Sequence, residues 1–68
     1  MEKTMMIGGM TCAHCSARVE DVLNAIPGVR ATVVLEEKKA YVTLTTEVAD
    51  AVLTKAVEEA GYTVEKIQ

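Results

Sequence analysis

Apolar residues repeat along this chain with two periods, two residues in some segments and about three to four in others. Residues 3–8 predict a first strand, with Met5 and Ile7 facing one side. From about His14 to Ile26 the spacing becomes helical, which predicts an amphipathic helix. Its apolar stripe comprises Cys15, Val19, Val22, Leu23 and Ile26. Pro27 and Gly28 are expected to end this helix, because proline cannot continue it and glycine is a common cap.

The middle of the chain returns to the period of two. Residues 29–35 are rich in β-branched side chains and predict a second strand, with Ala31, Val33 and Leu35 on its inward face. Residues 36–39 form a polar reversal without the glycine or asparagine that tight hairpins prefer. A third strand follows, and its inward face is formed by Ala40, Val42 and Leu44.

The last third of the chain predicts one more helix and one more strand. The second helix has the clearest apolar stripe in the sequence, made of Ala49, Val52, Leu53, Ala56, Val57 and Ala60. Gly61 is expected to end it, since glycine readily adopts the left-handed conformation found after helices. Residues 62–67 then predict a fourth strand.

The predicted order of elements is therefore βαββαβ. Two helices with one apolar stripe each, beside four strands with one apolar face each, favour two packed layers. We expect an α+β fold, a ferredoxin-like βαββαβ two-layer sandwich with a four-stranded antiparallel sheet and two helices on one face. Residues 1–68 are expected to form a single domain.

Composition limits the functions that are open to this fold. A chain of 68 residues buries only about 60% of its unfolded surface, which leaves no room for a deep substrate cavity. Seven basic and 10 acidic residues give a net charge of −3, which argues against nucleic-acid binding. No apolar run approaches the ~20 residues of a membrane span, and the first ten residues do not resemble a secretory signal. We expect a cytoplasmic protein that does not insert into membranes.

The candidate chemistry lies in Gly9–Cys15, which holds the only two cysteines and the only histidine. Cys12 and Cys15 are separated by two residues where the first strand gives way to the first helix. Thiolates form readily at a helix N-terminus, because free backbone N–H groups and the helix dipole favour negative charge. Two thiolates held this close suit a soft metal ion of low coordination number.

A thiol-disulfide redox protein is the main alternative, since Cys-x-x-Cys at a helix start also suits disulfide chemistry. A thioredoxin-like enzyme normally has a longer chain and a proline near its active site. The only proline here is Pro27, beyond the far end of the predicted helix. A structural zinc site usually needs four protein ligands, and this chain offers three candidates. We therefore expect a metal-binding protein that is not an enzyme.

The motifs of the whole chain resemble those of one family. Gly-Met-Thr-Cys-Ala-His-Cys after the first strand, Pro-Gly-Val after the first helix and Ala-Gly-Tyr before the last strand are similar to a heavy-metal-associated (HMA) domain. This family includes small bacterial copper chaperones and the N-terminal metal-binding modules of copper-transporting P-type ATPases. The resemblance covers Lys3 to Ile67, and its Met-x-Cys-x-x-Cys motif is specific when it lies at a strand-to-helix junction.

The resemblance implies a function and a partner. Cys12 and Cys15 would bind Cu(I) as a near-linear dithiolate and pass it to a copper-transporting P-type ATPase or its metal-binding domain by ligand exchange. Hg(II) shares the preference for thiolates and remains an alternative cargo, as do Zn(II) and Cd(II). Zinc-pump modules of the family usually carry an acidic residue where this chain has Thr11, which favours copper. The start at Met1 and the end after the fourth strand favour a free chaperone over an ATPase module.

Three further residues are candidates for a supporting role at the metal. We expect Met10 to pack in the core under the loop, with thioether ligation as the alternative. We expect His14 to lie in the first helical turn, either solvated or an auxiliary ligand within a copper-bridged homodimer. The resemblance places Tyr62 beside the loop. Of the two cysteines, Cys12 is expected to be more exposed and to lead exchange, and Cys15 more buried.

Overall fold

The computed structural model describes all 68 residues. Its elements are β1 (Glu2–Gly8), α1 (Ala13–Asn24), β2 (Val29–Val34), β3 (Lys39–Leu44), α2 (Asp50–Glu59) and β4 (Thr63–Ile67). A short 3-10 helix, Leu35–Glu37, lies between β2 and β3. The predicted βαββαβ order is confirmed.

The four strands form one antiparallel sheet in the order β2-β3-β1-β4. β1 is an inner strand, in which Met5 lies opposite Ala40 of β3 and Ile67 of β4. The loop that leaves β1 is therefore fixed by a strand that has partners on both sides. This arrangement confirms the predicted ferredoxin-like fold.

The core consists entirely of aliphatic and methionine side chains, as the lack of Phe and Trp requires. Both helices contribute two buried residues each to it, so both pack on the same face of the sheet. The 12 buried residues are Met5, Ile7, Met10, Val19, Leu23, Val29, Ala31, Ala40, Val42, Leu44, Leu53 and Val57. Neither helix is long and apolar enough to cross a membrane.

The helices are shorter than their apolar patterns predicted. α1 ends at Asn24, so Ile26 lies outside it. The cause is Pro27, because a residue that precedes proline is disfavoured in the helical conformation. In α2 the predicted stripe was wrong at Val52, which is 46% exposed, and at Ala49, an exposed residue that precedes the helix. A helix packed on one sheet face needs only a narrow stripe, and Leu53 and Val57 provide it.

The connection between β2 and β3 also differs from the sequence prediction. Leu35 was expected on the inward face of the second strand but begins the 3-10 turn and is half-buried. Lys38 follows that turn with φ 56° and ψ 40°, which is the left-handed conformation. The glycine or asparagine that the segment lacks is thus replaced by a lysine.

Candidate metal centre

Two glycines lie where β1 ends and the loop to α1 begins, and each is required for a different steric reason. At Gly8, an added Cβ would lie 2.6 Å from Thr63 Oγ1 and 2.7 Å from Glu65 Oε2 in β4. Gly9 has φ +92°, a backbone conformation that other residues rarely adopt. The chain can therefore turn sharply against β4 as it leaves the sheet.

Met10 anchors the loop to the core. Its side chain is only 1% exposed and belongs to the cluster that includes Ile7 and Val19. This burial is what the packing interpretation of Met10 predicts. The next two residues, Thr11 and Cys12, are exposed. Met10 is therefore the last buried residue before the first cysteine.

Cys12 and Cys15 are brought together by the first turn of α1. Cys12 is the N-cap residue in an extended conformation, and its carbonyl accepts hydrogen bonds from the N–H groups of Cys15 (3.0 Å) and Ser16 (3.2 Å). The two Sγ atoms lie 3.4 Å apart, and both cysteines are free thiols. Cys12 is exposed and Cys15 half-buried, in the order predicted.

The surroundings of Cys15 favour its thiolate. Hydrogen bonding from the Tyr62 side chain, the Thr11 backbone and the Cys12 thiol lowers the pKa of Cys15 from 9.0 to about 6, against a smaller opposing effect of burial. The same contact raises the pKa of Tyr62, because its hydroxyl proton is held by the thiolate. Cys15 is therefore largely deprotonated at neutral pH and can bind a metal without first losing a proton.

Tyr62 reaches the site because of the way α2 ends. Gly61, with φ +100°, donates its N–H to Glu58 O at 3.0 Å, and Tyr62 donates its N–H to Val57 O at 3.2 Å. These two bonds form a Schellman motif, in which the left-handed glycine turns the chain sharply. The turn places Tyr62 against the loop, where its Cδ1 would lie 3.5 Å from a Cβ at Gly9.

The structure places the remaining candidate, His14, in the first turn of α1 with an exposed side chain. The structure therefore brings together Cys12, Cys15 and Tyr62, with Met10 beneath them, and leaves His14 exposed to solvent.

Two contacts next to the site were not predicted from the sequence. Lys38 Nζ donates to Met10 O at 3.2 Å, and Arg18 Nε donates to Ala60 O at 3.3 Å, at the end of α2. The signal for Lys38 was the reversal without glycine or asparagine. Arg18 gave no signal beyond its position on the helix that begins at the cysteines.

The pair of sulfurs can act as a soft, open donor set. One sulfur is already largely a thiolate, the other faces solvent, and the first turn of α1 joins them. Thiolates are the preferred ligands of soft metal ions. Because Cys12 is exposed, an incoming ligand can approach the site directly.

Family comparison agrees with this site. The profile of the heavy-metal-associated domain matches residues 4–63. This chain belongs to the heavy-metal-associated domain family.

Individual relatives connect the chain with copper proteins of two kinds. A probable copper-importing P-type ATPase A of Enterococcus hirae is 49% identical over 61 residues, which is 88% of this chain and 8% of the ATPase. The structure of a CopZ metallochaperone has a TM-score of 0.88 at 36% identity, covering 94% of this chain and 98% of the other. A copper-binding domain from the P-type ATPase HMA7 has a TM-score of 0.86 at 35% identity, covering 96% and 92%. The chain thus spans only a small part of the ATPase it matches.

Proposed function

We propose that this chain binds Cu(I) through Cys12 and Cys15 and transfers it to a partner protein by thiolate exchange, without catalysing a reaction. The observation that carries this proposal is the pair of free sulfurs 3.4 Å apart, one half-buried and largely ionised, the other exposed. The site binds its cargo with few ligands and leaves it accessible, which is what transfer requires.

The donor set favours Cu(I) over Zn(II). Cu(I) is a soft ion that thiolates select, whereas zinc in structural sites is usually held by four ligands. The segment Gly9–Cys15 supplies two thiols, and the only other strong metal ligand in it is His14. The copper proteins among the relatives support the same choice. Hg(II) and Cd(II) remain alternative cargoes, because they share the preference for sulfur.

Transfer would proceed by stepwise ligand exchange. A thiolate of the partner forms a bond to the bound Cu(I), giving a three-coordinate intermediate shared by the two proteins. The bond between the metal and Cys12 then breaks, and the released thiolate either takes a proton from water or rebinds. Cys12 leads this exchange because it is exposed, while the half-buried Cys15 releases the metal last.

The partner we propose is a copper-transporting P-type ATPase or its metal-binding domain, in the cytoplasm. Residues 1–68 would act as one metal-binding domain, either as a free chaperone or within a longer pump. The chemistry of the site is the same in both settings, because Cys12, Cys15 and Tyr62 all lie within the domain.

Competition against a Cu(I) chelator tests the assignment. Reduced protein should bind one Cu(I), and far more tightly than it binds Zn(II). Cys12→Ser and Cys15→Ser should each lose most of that affinity. Ser16→Ala is a matched control, because Ser16 lies beside Cys15 but donates its hydroxyl to Ala13 O. Wild-type affinity in either cysteine variant would contradict the dithiolate site.

A redox function is the second candidate, because the low pKa of Cys15 would also suit disulfide exchange. If the pair only carries metal, the oxidised protein should be a poor oxidant of other thiols, and the reduced protein should reduce insulin no faster than a simple dithiol does. Thioredoxin-like turnover in the insulin assay would instead support an enzyme.

A further inference from the structure

Lys38 occupies an unusual backbone position. It is the only non-glycine residue with positive φ in the structure. The left-handed conformation disfavours side chains with a Cβ, and glycine or asparagine adopts it at lower cost. Residues held in such conformations often serve a function that offsets the strain. The lysine at this position therefore calls for an explanation from its contacts.

Those contacts connect the β2–β3 turn with both sides of the loop between β1 and α1 (residues 9–12), here called the metal loop. The Lys38 carbonyl accepts a hydrogen bond from the Ile7 N–H at 2.9 Å, just before the glycines of the loop. Its Nζ donates to the Met10 carbonyl at 3.2 Å, just before Thr11 and Cys12. One residue thus holds the backbone before and after Gly8 and Gly9.

The Met10 carbonyl marks the point where the chain leaves the core. The Met10 side chain is fixed in the core, and Thr11 and Cys12 after it are exposed. Two sulfurs that are 3.4 Å apart would meet a metal at roughly a right angle if the metal–sulfur bonds are about 2.3 Å long. A near-linear pair therefore requires Cys12 to swing away from Cys15. How far it swings, and how quickly a freed sulfur returns, depends on where the backbone is held.

We propose that Lys38 is a positioning residue for metal exchange, which fixes the Met10 carbonyl and so restricts the movement of Cys12. This inference rests on the proposed function. By keeping the released Cys12 sulfur close to Cys15, the contact favours rebinding and slows the loss of metal to a competitor. A glycine or asparagine at this position would form the turn with less strain but could not reach Met10.

The decisive variant is Lys38→Asn, because it removes the hydrogen bond to the Met10 carbonyl without destabilising the turn. Asparagine tolerates the left-handed conformation, so the melting temperature should stay the same or rise, while the bond to Met10 is lost. Lys38→Arg should restore the bond, and Lys38→Gly provides a second variant without it. Lys66→Thr is the control for the loss of one positive charge, since Lys66 is an exposed residue of β4.

Two measurements read the effect. In metal-free protein, the backbone N–H order parameters of Thr11 and Cys12 should fall in Lys38→Asn, because the carbonyl that precedes them is no longer held. In Cu(I)-loaded protein, release of the metal to a chelator should accelerate about threefold, the size expected for one lost hydrogen bond. Lys38→Gly should behave like Lys38→Asn, whereas Lys38→Arg and Lys66→Thr should behave like wild type.

The outcomes separate this inference from the proposed function. Unchanged order parameters of Thr11 and Cys12 in Lys38→Asn would overturn the positioning role, even if the protein binds Cu(I) tightly. Lower order parameters with unchanged Cu(I) release would overturn it as well. If wild-type protein failed to bind Cu(I), the proposed function would fail, while lower order parameters in the metal-free variant would still support the restraint of the loop by Lys38.

Discussion

At the scale of single residues, the two cysteines of the site have the same chemistry but different surroundings. Cys15 is half-buried and has a pKa that is lowered chiefly by the Tyr62 side chain and the Thr11 backbone, whereas Cys12 is exposed at the N-cap of α1. Under the proposed function this asymmetry would allow one ligand to stay on the metal while the other leaves. The largest contribution to the low pKa of Cys15 comes from Tyr62, a residue far from the motif in sequence.

Replacing Tyr62 tests this origin. Tyr62→Phe removes the largest contribution to the low pKa of Cys15 and should raise that pKa from about 6 towards its ordinary value. Thiolate absorbance against pH in a Cys12→Ser background, with and without Tyr62→Phe, measures the shift for Cys15 alone. Matching titration curves would show that the backbone, and not the hydroxyl, stabilises the thiolate.

The same low pKa predicts how stability depends on pH. The Cys15 thiol has a pKa of about 6 in the folded protein and 9.0 as its ordinary value, so the unfolded chain binds more protons between these pH values. The contribution of Cys15 to the free energy of unfolding should therefore rise with pH across this range and be absent below it. Urea unfolding of reduced, metal-free protein at several pH values should show this rise in wild type and a smaller rise in Tyr62→Phe.

Met10 allows packing to be separated from ligation. Its side chain is 1% exposed, so Met10→Ala should destabilise the protein by about 2–5 kcal/mol, as buried methionine truncations do. Met10→Leu keeps the volume and should retain both stability and Cu(I) affinity. Urea unfolding and chelator competition measure the two properties. Loss of Cu(I) affinity with unchanged stability in Met10→Leu would show that the sulfur itself binds the metal.

At the scale of elements, α2 serves the site mainly through its last turn. The Schellman motif at Gly61 directs Tyr62 towards the loop, while Arg18 of α1 donates to the carbonyl of Ala60 at the same end. A cation at a helix C-terminus is favourable, because the helix dipole places partial negative charge there. The two helices are thus joined beside the metal loop as well as through the core.

Gly61→Ala isolates the effect of this turn. No atom lies within 4 Å of the added Cβ, so the substitution acts only through the positive φ of +100°. We expect a loss of about 1–2 kcal/mol in the free energy of unfolding, together with a higher pKa of Cys15 as Tyr62 shifts. Unfolding and thiolate titration measure both. A destabilised variant with an unchanged Cys15 pKa would mean that Tyr62 keeps its place without the motif.

The elements also show how far the sequence alone could predict this fold. Alternating and helical periods correctly predicted all four strands and both helices, because a two-layer protein buries one face of each. The ends were less predictable, since they depend on partners distant in sequence. Asn24, for example, pairs its side chain with the N–H and C=O of Ala31 in β2 at 2.9 and 3.0 Å, where α1 ends.

The candidate site also has features that the sequence could predict and features that it could not. The spacing of Cys12 and Cys15 at a strand-to-helix junction is local, so the sequence predicts their proximity directly. The resemblance to the family pointed to Tyr62. The Lys38 contact depends on the β2–β3 turn meeting the metal loop across the sheet, and no local pattern encodes that. Long-range polar contacts of this kind require the tertiary structure.

At the scale of the whole molecule, the metal loop lies at the surface of a chain with a net charge of −3. Like charge on two copies disfavours association unless something joins them. A Cu(I) ion with an open coordination position could do so, since the exposed Cys12 of a second copy can approach it. Any self-association of this protein is therefore expected to depend on copper and to involve the surface around the metal loop.

His14 is the residue that we expect to contribute to a copper-dependent dimer. Its exposed imidazole lies in the first turn of α1, next to Cys15 in the chain, and neutral imidazole is a competent copper ligand. We expect His14→Ala to leave the Cu(I) affinity of the monomer nearly unchanged but to weaken copper-dependent dimers. Sedimentation of wild-type and variant protein, at copper below and above one equivalent, measures the dimer fraction. Arg30→Ala, at the start of β2, serves as a control for a surface substitution, because Arg30 is exposed. Equal dimer fractions in wild type and His14→Ala would assign His14 to solvent alone, whereas a loss of monomer affinity would place it among the ligands of the single site.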